Sequence, residues 1–163
     1  MADRVEGVDF ALAIYREEGA WTAQELAHDV ISDVETLATG LRRFPGDGGA
    51  LGVVGIDEDF FVLVRVAGAT TRVLLSDITA ADEWELAGSA VEFLGLPFPD
   101  DEDEEAQEPA GDLGILDDMG MSAMDMGILL DDFDLYPDEL VSEIARKVGF
   151  GKIFDDAVGL TSA

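Results

Sequence analysis

"LGVVGIDEDFFVLVRVAGATTRVLLS", residues 51–76, decides how this chain is read. Three apolar runs rich in β-branched and aromatic residues, LGVVGI, FFVLVRV and TRVLLS, are separated by DED and AGAT. These connections are short enough for antiparallel hairpins, and Gly68 can supply the positive φ of a tight turn. In that register Arg65 and Arg72 lie opposite each other, two cations on one sheet face. They form either an anion contact or internal salt bridges, and in so acidic a chain the salt bridges are the preferred reading.

Upstream, in VDFALAIY, Val8, Phe10, Leu12 and Ile14 alternate with less apolar residues, the two-residue period of a half-buried strand. Thr22 and Glu25 have capping-box spacing, and Leu26, Val30, Val34, Leu37 and Leu41 then recur at helical intervals. A helix is therefore expected from 22 to 41, with Arg42 and Arg43 at its negative end and Pro45 and Gly46 beyond. Downstream, Thr79 and Asp82 open a second helix through Leu94, with Trp84, Ala87, Val91 and Leu94 on one face. Residues 1–97 are thus expected to form an α+β domain: a four-stranded, mostly antiparallel sheet and two helices.

Residues 98–111 are expected to be an acidic flexible linker. Positions 100–110 hold seven acids and no base, bracketed by Pro97, Pro99 and Pro109, a composition unable to offset its ordering entropy. Residues 112–163 read as a small helical module with four short helices, DLGILDDMG, SAMDMGILLDD, PDELVSEIARKVG and FGKIFDDAVG. Ser122 and Asp125 cap the second, Pro137 opens the third, Gly149 ends it, and Leu140, Ile144 and Val148 form a stripe. A core this small is marginal alone, so the module should pack on the first domain or on a partner.

The chain carries 37 acidic and 9 basic residues, net -28, in 163 positions. Phosphate-backbone binding depends on Lys and Arg releasing counterions, so direct nucleic-acid binding is disfavoured and a basic protein surface is the natural partner. The absence of cysteine removes disulfides, thiolate nucleophiles and thiolate metal sites, and fits a reducing compartment. MADRVEGVDF lacks the regions of a secretory signal and no apolar run is long enough to span a membrane, so the expected location is cytoplasmic.

Motif by motif, the chemistry is sparse. His28, the single histidine, falls on the polar side of the expected helix and reads as a surface residue. GDGGALG fits neither dinucleotide nor Walker spacing, and it precedes a strand rather than a helix. The clusters DDEDEE, LLDDFDLYPDE and FDD do not match a calcium-binding loop. No catalytic residue, metal site or cofactor is expected. The methionines are more suggestive, because all but the first fall at 119, 121, 124 and 126. Methionine fills small cores by default, but it is also over-used on adaptable binding surfaces. Met121, Met124 and Met126, with Asp131, Asp132 and Asp134, are therefore the candidate partner-binding residues, and Arg65 and Arg72 the candidate anion contact.

DFFVLVRV, RVLLSDITAADEWELA, the LGLPFPDDEDE junction and GDLGILDDMGMSAMDMGILLDDFDLYPDELVSEIARKVGFG together resemble the tRNA adenosine deaminase-associated protein family of high-GC Gram-positive bacteria. The resemblance covers nearly the whole chain and is strongest at the C-terminal end. It implies association with such a deaminase and brings no catalytic motif. The chain lacks the ligands of a zinc deaminase, which needs a His or Cys plus two Cys, with a glutamate close to the first. The resulting expectation is a non-enzymatic acidic accessory or interaction protein whose partner is a basic surface, such as that of a tRNA adenosine deaminase. The alternatives are a carboxylate and divalent-metal enzyme, or a nucleic-acid mimic inhibiting some basic protein.

Overall fold

A computed structural model describes residues 8–17, 19–26, 33–44, 49–56, 60–67, 70–78, 84–95, 109–131 and 136–158. Six antiparallel strands form one sheet in the order β2-β1-β3-β4-β5-β6. The strands are β1 (Val8–Glu17), β2 (Ala20–Glu25), β3 (Ala50–Ile56), β4 (Phe60–Ala67), β5 (Thr70–Leu75) and β6 (Ala110–Gly111). The described residues also form five α-helices: α1 (Val34–Leu41), α2 (Glu85–Leu94), α3 (Ala123–Leu130), α4 (Pro137–Val148) and α5 (Gly151–Val158). None of them is long and apolar enough to cross a membrane.

The α+β class and both central hairpins follow the sequence reading, and Arg65 pairs with Arg72 as expected. The strand count does not, since six replace the four expected. Residues 20–25, assigned to the start of a helix, instead form β2, paired with β1 from Leu12↔Glu25 to Glu17↔Ala20. The reason lies in the loop: only two residues separate Glu17 from Ala20, and Gly19 has φ 83°, the left-handed conformation a tight hairpin requires. Thr22 and Glu25 thus belong to a strand despite their capping-box spacing. The true N-cap is Asp33, whose carboxylate accepts the Thr36 N–H at 2.8 Å. His28, Val30, the Thr79–Asp82 cap, the bulk of the acidic run, Asp132 and Asp134 lie outside the described residues.

β6 is the other added strand. Ala110 and Gly111, at the end of the acidic segment, pair with Leu75 and Leu74, and the Asp112 N–H donates to the Val73 carbonyl at 2.9 Å. DLGILDDMG is not a helix but a turn followed by a 3-10 turn at Asp117–Met119. The other three C-terminal helices stand where the sequence puts them. Ser122 caps α3, accepting the Asp125 N–H at 3.1 Å, and Glu139 in the first turn of α4 accepts the Tyr136 N–H at 2.9 Å.

The sheet is covered on both faces. On one, Ala11, Ala13, Val54, Phe60, Val62 and Val64 meet Val34, Leu37 and Leu41 of α1 and Leu86, Ala87 and Val91 of α2. Gly52 lets α1 settle close, since a Cβ there would lie 3.0 Å from a Leu41 methyl. On the other, Phe10, Leu12, Ile14, Val53, Phe61 and Leu63 meet Met126, Ile144, Phe150 and Phe154 of the C-terminal helical layer. Burial on two faces accounts for the near-continuous apolar run of β4, because a strand covered on one face only would alternate.

Candidate functional site

Two arginines on a buried sheet face need counterions, and the segment after β6 supplies them. Arg65 is only 7% exposed. Its Nη1 and Nη2 donate to the two carboxylate oxygens of Asp118 at 2.6 and 2.9 Å, and Nη1 also donates to the Ile115 carbonyl at 2.8 Å. Arg72 donates through Nε to Asp112 at 2.6 Å and through Nη2 to the Gly114 carbonyl at 2.6 Å. The forked Arg65–Asp118 pair is the strong form of charge-assisted hydrogen bond. The Arg65 guanidinium holds the Asp118 carboxyl below the usual carboxylate range, and the hydrogen bond to Asp112 raises the already high pKa of Arg72. Both arginines therefore occupy internal salt bridges, which tie residues 112–118 to the sheet. The candidate anion contact is filled by the chain's own carboxylates.

The methionines divide according to which side of α3 they occupy. Met121 and Met126 are buried, at 3% and 0% exposure, in the layer that covers the sheet. Met124 is 75% exposed, and Ile128, one turn further along the same face, is 65% exposed. Asp131, the C-cap of α3, is exposed a further turn along. Residues at i, i+4 and i+7 share a helix face, so Met124, Ile128 and Asp131 form one outward stripe with an acid at its end. On the flank, Asp125 lies 3.4 Å from Lys147 of α4. Tyr136, at the start of α4, is 56% exposed and leads into the acidic first turn Asp138 and Glu139.

The sequence reading named Met124 and Asp131 but missed Ile128 and Tyr136. A signal was available for Ile128, four residues after Met124. It was hidden because AMDMGILL is apolar almost all round and so does not reveal which side faces the core. Among the described residues, no group of three or more His, Cys, Asp or Glu could hold a metal ion.

Two apolar side chains on an exposed helix face, with a carboxylate in line, are suited to docking in an apolar groove rimmed by basic groups. A family model described as Rv3753c-like tRNA adenosine deaminase-associated protein matches residues 9–151. Protein Rv3753c of Mycobacterium tuberculosis (strain ATCC 25618 / H37Rv) is 38% identical to this chain over 151 residues, covering 91% of the chain and 86% of that protein. No solved structure matches the chain.

Proposed function

This chain belongs to the Rv3753c-like tRNA adenosine deaminase-associated protein family, and we propose that it is a non-enzymatic accessory protein that docks on a tRNA adenosine deaminase and regulates its access to tRNA. The observation that carries the reading is the outward stripe of α3, Met124 and Ile128 with Asp131 beyond, on a chain of net charge -28. A tRNA-binding face is basic, and an acidic surface steers toward it while repelling tRNA itself. Apolar anchors then set how long the complex lasts, since affinity differences within one interface reside mainly in the dissociation rate.

Purified chain and the tRNA adenosine deaminase of the same organism, followed by interferometry across a salt series, test the proposal. Asp131→Asn should slow association and flatten its salt dependence, whereas Met124→Ser with Ile128→Ser should speed dissociation. The chain should compete with tRNA for the enzyme and bind no free tRNA at physiological salt. Absence of a complex with the deaminase overturns the reading. Binding that follows total negative charge and ignores Met124 and Ile128 favours a general nucleic-acid mimic instead.

A further inference from the structure

A cleft of about 430 Å³ opens where one end of the sheet meets the C-terminal helical layer. Its walls include Ile14 and Leu51 from the sheet and Met119 and Phe150 from the helical layer, with the Arg65–Asp118 pair also lining it. Arg16 and Trp21 line it too, directly opposite each other on β1 and β2. The Arg16 guanidinium carbon stands 5.5 Å from the centre of the Trp21 ring, a cation–π arrangement that fixes the side chain without neutralising it. The Trp21 ring also packs on Phe150, with centroids 5.3 Å apart. Arg16 is exposed, and among the described residues it has no carboxylate within ion-pair distance. The stacking on Trp21 thus leaves a pre-positioned guanidinium beside the cleft.

We propose that this cleft binds a small organic monoanion with an aromatic body, its acid group on Arg16 and its ring against the half-buried Trp21 and Met119. The volume lies within the roughly 300–1,000 Å³ of small-molecule sites, which combine apolar surface with placed polar groups. Charge selects within that class. The chain's net charge of -28 makes each further negative charge on a ligand costly, so a monoanion is favoured over a nucleoside polyphosphate. The accessible surfaces of Trp21 and Met119 favour a ring over a bare anion. This inference is independent of docking through α3, whose exposed stripe includes none of these residues.

The two tryptophans supply the test. Trp84 packs against the opposite face of the sheet, beside Phe60, so its indole N–H is an internal reference for that of Trp21. Naphthoate, neutral naphthalenemethanol and inorganic phosphate, each titrated into the full chain and followed by heteronuclear NMR, separate the contributions of ring and charge. Naphthoate should shift the Trp21 indole resonance saturably and leave that of Trp84 in place. Arg16→Gln should weaken the binding about tenfold or more, whereas Arg43→Gln, a control at an exposed arginine outside the cleft, should leave it unchanged. Equal binding of naphthalenemethanol overturns the role of Arg16, and equal binding of phosphate overturns the role of Trp21 and Met119. Movement of both tryptophans together, or no effect of Arg16→Gln, overturns the site.

Discussion

The two layers that cover the sheet are joined to it in different ways. The α1–α2 layer packs on Val54, Phe60, Val62 and Val64 and comes closest to the sheet at Ala11, Ala13 and Gly52, held by apolar contact; its two helices are linked by a hydrogen bond of 2.9 Å from the Val34 N–H to Ser89. The C-terminal layer packs on Phe10, Phe61 and Leu63 and adds the forked Arg65–Asp118 pair and the Arg72–Asp112 pair. Apolar packing resists separation but fixes position weakly, whereas directional ion pairs fix register. Among the described residues, the second layer, which reaches the sheet only after the long acidic segment, is the one tied to it by ion pairs. Distance along the chain is compensated by geometry.

The strongest way to break this comparison is to remove the second layer. A chain ending at residue 97 leaves Phe10, Leu12, Ile14, Phe61, Leu63 and Leu74 uncovered, each of them buried in the intact protein. At roughly 1.5–3 kcal/mol for each buried side chain, the loss is comparable with the whole stability of about 5–15 kcal/mol. The fragment should aggregate or give a collapsed NMR spectrum, and co-expression with residues 109–163 should rescue it. A soluble fragment with native dispersion would make the first layer and sheet self-sufficient.

Single cavities sharpen the same point. Phe154, with 0% exposure, meets Phe10 edge to face at 5.3 Å, and Leu37 is equally buried beneath α1 on the other side. Phe154→Ala should cost about 3–5 kcal/mol and Leu37→Ala about 2–5 kcal/mol. In urea, both should show one transition with an unchanged slope, because a single sheet carries both layers. Two separated transitions in either variant would show that the layers unfold independently.

A smaller effect is expected at the ion pair. Asp118→Asn leaves the Arg65 guanidinium hydrogen-bonded but unneutralised; with the Asp118 side chain 59% exposed, solvent screening limits the loss to about 1–2 kcal/mol. The pH dependence has a definite sign. The folded-state carboxyl of Asp118 is depressed, so the pair's contribution is fully present above the unfolded value near pH 4 and is lost as pH falls through the folded value. Acid melts should therefore be shallower in the variant below about pH 4, and parallel slopes would rule the pair out. Least of all, Met124→Ser should change stability by no more than about 0.5 kcal/mol, whereas Met126→Ala, within the buried side of the same helix, should cost about 2–5 kcal/mol. Thermal melts distinguish these outcomes.

Much of this was legible in the sequence. The hairpins of 51–76, the Arg65–Arg72 register and the positions of α3, α4 and α5 follow from period, turn residues and caps. β2 was not, because Thr22 and Glu25 satisfy a helix-start pattern while the pairing that overrides it is made with β1. The second cover was legible in principle. Phe60–Val66 carries a single polar residue, Arg65, where a half-buried strand would carry three, and that run already demands two faces. Which acids would meet the arginines was not legible, since Asp112 and Asp118 differ in no local way from their acidic neighbours. The exposed stripe of α3 was half legible: Met124 was named, but orientation around an apolar helix is set by what it packs on.

The late arrival of the C-terminal layer has a consequence during synthesis. Strands β1 to β5 have all left the ribosome while Phe150 and Phe154 are still untranslated, and at about 5–20 residues per second their shared face waits several seconds for its cover. Between the last of these strands and that cover come the seven acids of 100–110. Nascent chains carrying such a charge repel one another at the moment when their uncovered faces would otherwise adhere, so the acidic run acts as an electrostatic gatekeeper in time as well as in sequence.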